Sequence, residues 1–345
     1  MAVTINEVAE HAGVSPMTVS RVINGSQRVR AETRTRVEQA IAELGYVPNS
    51  LARGLSRQKA GTLALIVPDV ANPFFTLIVR GAENVARRAG YRVILCNTES
   101  DLEREHEYVQ EMLAHRVEGI LIAPANDRSL RHMRIIQRHG VPFVLLDRAV
   151  AGMECDLVQG DSVGSARQLV EHLVRLGHSR IALLGGEPEI STTRDRVQGY
   201  RQGLQGAGLA WDPALEIHSR YEITGGYQAA QRMLELPTLP TALLAVNNVV
   251  AVGVVLALRE RGLEVPRDFA LACFDDIEYA SLLFPFLTAM VQPAESFGTL
   301  ATQLLLDRID GRGSEQRRHV VLASELIVRA SCGSNRVAMP SLAQY

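Results

Sequence analysis

Apolar residues near the start of the chain fall at helical spacing: Ile5, Val8 and Ala9, then, past Gly13, Val14, Val19, Val22 and Ile23. The pattern predicts two short amphipathic helices around a tight turn. Gly13 supplies the turn, Ser15 caps the second helix, and Pro16 takes its first position, where a missing N–H costs nothing. A third helix is predicted over Ala31–Leu44, with Val37, Ala40, Ile41 and Leu44 on one face and Gly45 as its stop. After Tyr46 the stretch V-P-N-S-L-A-R-G-L-S-R-Q-K-A-G is polar, basic and glycine-punctuated, and reads as a linker.

From Thr62 the texture changes to short apolar runs alternating with amphipathic stretches. The predicted order is strand 63–67, helix 75–89, strand 92–96, helix 102–115, strand 119–123, helix 130–139 and strand 141–146. It restarts as helix 163–176, strand 181–184, helix 195–207, strand 215–218, helix 225–236, strand 242–246, helix 249–261 and strand 269–274. Strand 288–291, helix 294–309 and a strand over 320–326 come last. Such βαβ alternation predicts two open, parallel α/β lobes whose strand ends face a shared cleft, where ligands bind. Residues 331–345 show no periodicity and read as a loose tail without the leucine heptads of a tetramerising bundle.

At 345 residues the chain is too long for a single core, and 47% hydrophobic residues argue for a folded protein. A net charge of −2 hides an asymmetry: residues 1–60 carry +3 and the rest −5. The basic end suits phosphates, and the acidic body resists sticking to them. Cys96, Cys155, Cys273 and Cys332 are far apart and form no C-x-x-C pair, which suggests free thiols rather than disulfides or zinc. No apolar run reaches membrane length and no leader pattern opens the chain, so a cytoplasmic protein without a membrane partner is expected.

In the opening hairpin Met17, Thr18, Ser20 and Arg21 are left pointing outward, the layout of a helix-turn-helix whose second helix enters the DNA major groove. The competing reading is an ordinary helical hairpin. The segments V-A-E-H-A-G-V-S, T-V-S-R-V-I-N and E-L-G-Y-V-P-N-S-L-A-R resemble the headpiece of the lactose-repressor/galactose-repressor family of bacterial transcription regulators, and the resemblance runs on to about Arg329. It implies an all-α headpiece over 1–46, a hinge helix over 47–60, and a two-lobed core over 61–330 like that of periplasmic binding proteins. The chain would cross between lobes, giving a first lobe of about 61–158 plus 291–322 and a second of about 159–290 plus 323–330.

Arg21 can make two hydrogen bonds to a guanine edge, whereas Pro16 and Met17 stand where relatives often carry polar base readers and can only touch thymine methyls or fit by shape. Thr4, Ser15, Thr18, Ser20, Asn24, Val29 and Thr33 match positions that touch phosphates or seat the helix; capping is the other reading for each Ser and Thr. N-S-L-A-R-G-L, residues 49–55, is similar to the family's hinge helix, which pairs in a dimer and enters the minor groove. Asn49 lies in it, Ala52 matches a close-packing position and Leu55 the wedge between base pairs. The resemblance implies a homodimer on a pseudo-palindromic operator.

For the cleft, candidate effector residues are Phe74 and Phe75 in N-P-F-F, Asp147 and Arg148 at a strand end, and Asp161 after a linker strand. Thr192 and Arg196 in T-T-R-D-R-V-Q-G-Y, Tyr221 before T-G-G-Y, Asn247 and Asn248 at another strand end, and Asp275 at the next complete the set. Carboxylates accept from vicinal hydroxyls, an arginine donates and aromatic faces cover C–H surfaces, so the set suits a sugar or sugar derivative better than a purine. For each phenylalanine, core packing is the competing reading. Two departures from the family pattern, Gly160-Asp161 for Asp-Asn and Asn247-Asn248 for Asn-Asp, remove or move a carboxylate. Arg148 and Arg194 point to a sugar acid or sugar phosphate.

Catalysis is disfavoured. There is no G-x-G-x-x-G after the first strand, no G-x-x-x-x-G-K-[ST] and no G-x-S-x-G, and the nine histidines lack metal-binding spacing. No cofactor or metal is expected. The reading is a ligand-controlled DNA-binding regulator, a repressor before an activator; the alternative is a sugar-binding protein with no DNA role.

Overall fold

The computed structural model describes residues 3–23, 26, 28–46, 61–277, 286–313, 316–334. Asn24 and the hinge residues Asn49, Ala52 and Leu55 lie outside them. The chain divides into two compact units, Met1–Gly61 and Thr62–Tyr345.

In the first unit, helices α1 (Ile5–His11), α2 (Pro16–Ile23) and α3 (Ala31–Leu44) enclose a small core of Val8, Ala9, Ala12, Val19, Val22, Val37 and Ala40. Gly13 and Gly45 adopt φ of 63° and 62°, left-handed values that let the chain reverse after α1 and end α3. Thr4 and Glu7 form a reciprocal capping box at the start of α1, and Ser15 Oγ accepts the Thr18 amide at 3.3 Å.

The second unit holds two six-stranded sheets. The first lobe contains β1 (Thr62–Val67), α4 (Pro73–Arg88), β2 (Arg92–Asn97), α5 (Leu102–Ala114), β3 (Gly119–Ile122), α6 (Leu130–Arg138), β4 (Phe143–Leu146) and β5 (Asp156–Gly160). The second contains α7 (Ser162–Arg175), β6 (Ile181–Leu184), α8 (Ser191–Gly206), β7 (Glu216–Ile217), α9 (Ile223–Leu234), β8 (Ala242–Ala245), α10 (Asn248–Glu260), β9 (Ala270–Phe274) and β10 (Thr288–Val291). The chain then returns to the first lobe with α11 (Ala294–Ile309) and β11 (His319–Leu322), and to the second with β12 (Glu325–Ile327). Strand orders are β11-β5-β4-β3-β1-β2 and β12-β10-β9-β8-β6-β7. All pairings are parallel except β10 with β12.

The alternating strand–helix pattern gave most elements to within two residues, with three corrections. The apolar run 320–326, read as one strand, is two: Val320 pairs with Val158 in the first sheet and Leu326 with Met290 in the second. α8 begins at Ser191, a turn before the expected 195; its N-cap is Ile190, which offers no side-chain cap, and Ser191–Thr193 carry no apolar period to mark the start. The proposed loose tail starts too early: Ser331 and Cys332 are fully buried, with Ser331 Oγ donating to Leu271 O at 2.6 Å and accepting the Thr288 amide at 2.7 Å.

Helices of each lobe meet backbone to backbone. A Cβ at Gly298 on α11 would strike the Ile78 carbonyl on α4, and one at Gly81 would strike that of Glu295. Gly226 and Gly253 bring α9 and α10 together in the same reciprocal way.

Candidate functional site

On α2 the exposed positions are Pro16, Met17 and Arg21, while Thr18 and Ser20 are half-buried. Met17, 63% exposed, and Arg21 stand one turn apart on one face. A large apolar side chain so bare on a small helical unit is available to a partner surface. Thr4 and Ser15 are capping residues as described above, Val29 packs against the three-helix core, and Thr33 is half-buried in the first turn of α3.

Several contacts among the described residues bridge the cleft between the lobes of the core, among them the Asp127 amide donating to Glu189 O at 3.1 Å. Asn248 Nδ2 donates across the cleft to Asn72 Oδ1 at 3.3 Å, and within its own lobe to Asp276 O at 3.1 Å. The Ala149 amide donates to Ser191 Oγ at 2.9 Å. Arg194 pairs bidentately with Asp127 at 2.7 and 3.2 Å. The guanidinium of Arg148, from the first lobe, lies 5.7 Å from the centroid of Tyr221 in the second.

Two aspartates mark equivalent strand ends. Asp147 follows β4 and Asp275 follows β9, both buried and both at φ 61°, a left-handed backbone that Asp tolerates better than most residues. Burial pushes the Asp147 carboxyl above its ordinary range, against the opposing pull of Arg148 and Arg196. Burial likewise raises Asp275, to about 6, against Arg196 and the Gln292 amide that donates to its Oδ1 at 2.8 Å. Arg196, 3% exposed, thus acts on the carboxylates of both lobes; it donates to Val246 O and lies 4.1 Å over the Phe274 ring. Asp147 Oδ1, Arg148 Nε and Arg196 Nε have no hydrogen-bond partner among the described residues. Buried polar atoms of this kind are what a polyhydroxylated guest can satisfy.

Asp147, Arg148, Arg196, Asp275 and Tyr221 therefore come together, with Thr192 buried in the first turn of α8 beside them in sequence. Other expected residues have structural duties of their own. Phe75 is a core residue of the first lobe, edge-on to Phe74 at 5.1 Å. Phe74 shares that core but also lines a cavity of ≈ 620 Å³ with Asp275 and Gln292, a volume in the range of small-ligand sites. Asp161 is exposed and caps α7 through the Gly164 amide at 2.8 Å. Asn247 caps α10 through the Val250 amide at 2.8 Å, and Asn248 is spent on the lobe-to-lobe contact. Arg194, committed to Asp127, is withdrawn from the pool of free cations.

Sequence reading missed Asn72, Asp195 and Gln292. Asp195, on α8 beside Arg196, is raised by burial and feels both Asp147 and Asp161. Gln292 sits on a lobe crossing, and its Oε1 occupies the space a Cβ at Gly160 would need. The glycine at that departure from the family pattern thus makes room for the amide that supports Asp275. Among the described residues no His, Cys, Asp and Glu group could hold a metal ion, and no helix is long and apolar enough to cross a membrane.

Residues 4–49 match the profile of bacterial regulatory proteins of the lacI family, and residues 170–332 that of a periplasmic binding protein-like domain. The chain is 36% identical to the ribose operon repressor of Escherichia coli (strain K12) over 91% of its own length and 96% of the relative's. It is similar to the lac repressor dimer bound to operator and the anti-inducer ONPF (TM-score 0.82, 30% identity, 96% and 99% of the two chains). A transcriptional regulator CelR–cellobiose complex also matches (TM-score 0.72, 32% identity, 95% and 99%).

Proposed function

Because the chain belongs to the lacI family of bacterial regulatory proteins, a family of DNA-binding transcriptional regulators, we propose that it is a cytoplasmic homodimeric repressor whose operator affinity is set by a sugar-class effector bound between the lobes. Its α2 enters the major groove, Arg21 reads a base edge and Met17 makes an apolar contact one turn earlier. Thr4, Ser15 and Thr33 seat the helix on phosphates, backbone amides serving where side chains are spent on caps.

The observation that carries the effector half is the meeting of Asp147 and Arg148 from one lobe with Arg196, Asp275 and Tyr221 from the other. Carboxylates accept from vicinal hydroxyls, guanidinium groups donate, and the tyrosine face covers a C–H surface. A guest held from both lobes favours their closed arrangement, and whatever closure does to operator affinity, operator does reciprocally to effector affinity.

The test has two parts. Full-length protein is mixed with duplex from its own upstream region and with random duplex, alone and with D-ribose, D-ribose 5-phosphate, cellobiose or hypoxanthine; thermal shift is read with the same compounds. Preference for the upstream duplex, altered by one of the sugars, is the expected result. Stabilisation by hypoxanthine alone overturns the sugar assignment, and no preference for any duplex overturns the regulator assignment.

A further inference from the structure

Behind the cleft, in the first lobe, lies a carboxylate that the effector reading does not use. Glu105 on α5 is fully buried. Its Oε1 lies 2.6 Å from His132 Nδ1, and its Oε2 accepts the Ala125 amide at 2.6 Å. The tautomer of His132 is set from outside: Arg131 Nε donates to His132 Nε2 at 2.8 Å, so that nitrogen presents its lone pair and the proton sits on Nδ1. Both of Glu105's contacts are therefore donors, and the arrangement is satisfied by the carboxylate form.

The Ala125 amide nitrogen and the Pro124 carbonyl belong to one peptide group. Arg148 Nη1 donates to that carbonyl at 3.0 Å and to Ala125 O at 3.1 Å. A buried anion thus grips one end of a peptide dipole, and the guanidinium that reaches Tyr221 grips the other. Each bond polarises the peptide group in the sense that strengthens the other. Arg148 has few alternatives for this role: its Nε is 3.7 Å from Asp147 Oδ2 and makes no hydrogen bond among the described residues.

We propose that Glu105, oriented by His132, is a positioning residue for the effector cleft: through the Pro124–Ala125 peptide group it fixes the Arg148 guanidinium against the opposite lobe and so sets effector affinity. The inference rests on the cleft being the effector site, and the experiment separates the two.

The first readout needs no effector. In a crystal structure of the full chain carrying Glu105→Gln, the uncharged amide weakens the grip on the peptide group, and the guanidinium leaves the Pro124 carbonyl and moves off the Tyr221 ring. Glu105→Asp, which keeps the charge but falls a methylene short, moves it in the same way and serves should the glutamine variant not fold. A guanidinium unmoved in the folded variant overturns the proposal. The second readout is titration with D-ribose. Glu105→Gln weakens binding roughly tenfold in the parent but less than about twofold on an Arg148→Ala background, because residues acting through one another are not additive. Equal losses in both backgrounds mean a merely structural role and overturn it too. If D-ribose does not bind the parent, the sugar reading loses its probe, while the crystallographic arm still decides the role of Glu105.

Discussion

The two lobes of the core end an equivalent strand in the same way and treat the result differently. After β4 and after β9 an aspartate turns through a left-handed backbone at φ 61° and is buried. In the second lobe Asp275 accepts from Gln292, which stands on the crossing between the lobes. In the first, Asp147 Oδ1 has no hydrogen-bond partner among the described residues, and the neighbouring cation, Arg148, is turned toward backbone carbonyls and the opposite lobe. One strand end is thus settled by a side chain of the lobe crossing, while the other lacks such a donor. A guest that gains more from both lobes together than from either alone favours their closed arrangement.

Arg196 holds the comparison together, since its charge acts on both aspartates. Arg196→Met leaves two buried carboxylates short of a cation and the Val246 carbonyl short of a donor. Loss of a buried charge partner costs about 3–5 kcal/mol, read by urea unfolding at pH 7.5. The loss shrinks as pH is lowered and the carboxyls take up protons. A variant as stable as the parent at pH 7.5 breaks the claim that one guanidinium serves both lobes.

Asp275→Asn sharpens it. With its folded-state pKa raised to about 6, the carboxyl holds a proton more tightly folded than unfolded. Its contribution to stability is therefore unfavourable above pH 6, shrinks as pH falls through 6, and vanishes below about 4, the range of an unfolded aspartate. Asparagine keeps an acceptor for Gln292 without the charge. The variant is expected to be more stable than the parent at pH 7.5 by up to about 3 kcal/mol, with the gap closing toward pH 5. Chemical denaturation across that window checks it; a gap independent of pH contradicts burial as the cause. The same variant should lose response to effector, stability and function pulling in opposite directions at a site built to bind.

The reciprocal glycines test whether the lobes share a packing solution. Gly298→Ala in the first lobe and Gly253→Ala in the second each set a methyl group against a helix carbonyl, at Ile78 and Ile223. Each should cost about 1–3 kcal/mol in urea unfolding, because backbone cannot swing aside as a side chain can. A neutral Gly298→Ala beside a costly Gly253→Ala would mean that α4 and α11 can separate where α9 and α10 cannot.

Local periodicity made much of this architecture legible before any coordinates. Gly13 and Gly45 announced their turns, and strand–helix alternation announced the two sheets, because both signals act within a few residues. The site was half legible. Asp147, Arg148, Arg196 and Asp275 could be named from strand ends and from family resemblance. Gln292 could not, because its meaning lies in Gly160, far away along the chain, and in the crossing that brings the two together. The split of 320–326 was hidden for a related reason: an apolar run says that a strand exists, not which sheet receives each half. Glu105 looked like one more acidic residue on a charged helix, and only its contacts with His132 and Ala125 distinguish it.

The smallest expected effect belongs to Arg194 and Asp127, the one lobe-to-lobe contact described above that is an ion pair, and it lies at the rim. Both side chains remain partly exposed, 43% and 33%, so water and salt screen them. A double-mutant cycle with Asp127→Ala and Arg194→Ala should return a coupling of about 0.5–1 kcal/mol in dilute buffer, falling toward zero in about 0.5 M salt. The bidentate geometry argues for the upper end of that range. A coupling above about 2 kcal/mol that ignores salt would show the pair to be sheltered. The lobes would then be latched at their rim, and the guest would have to break a contact before the two unequal strand ends could close on it.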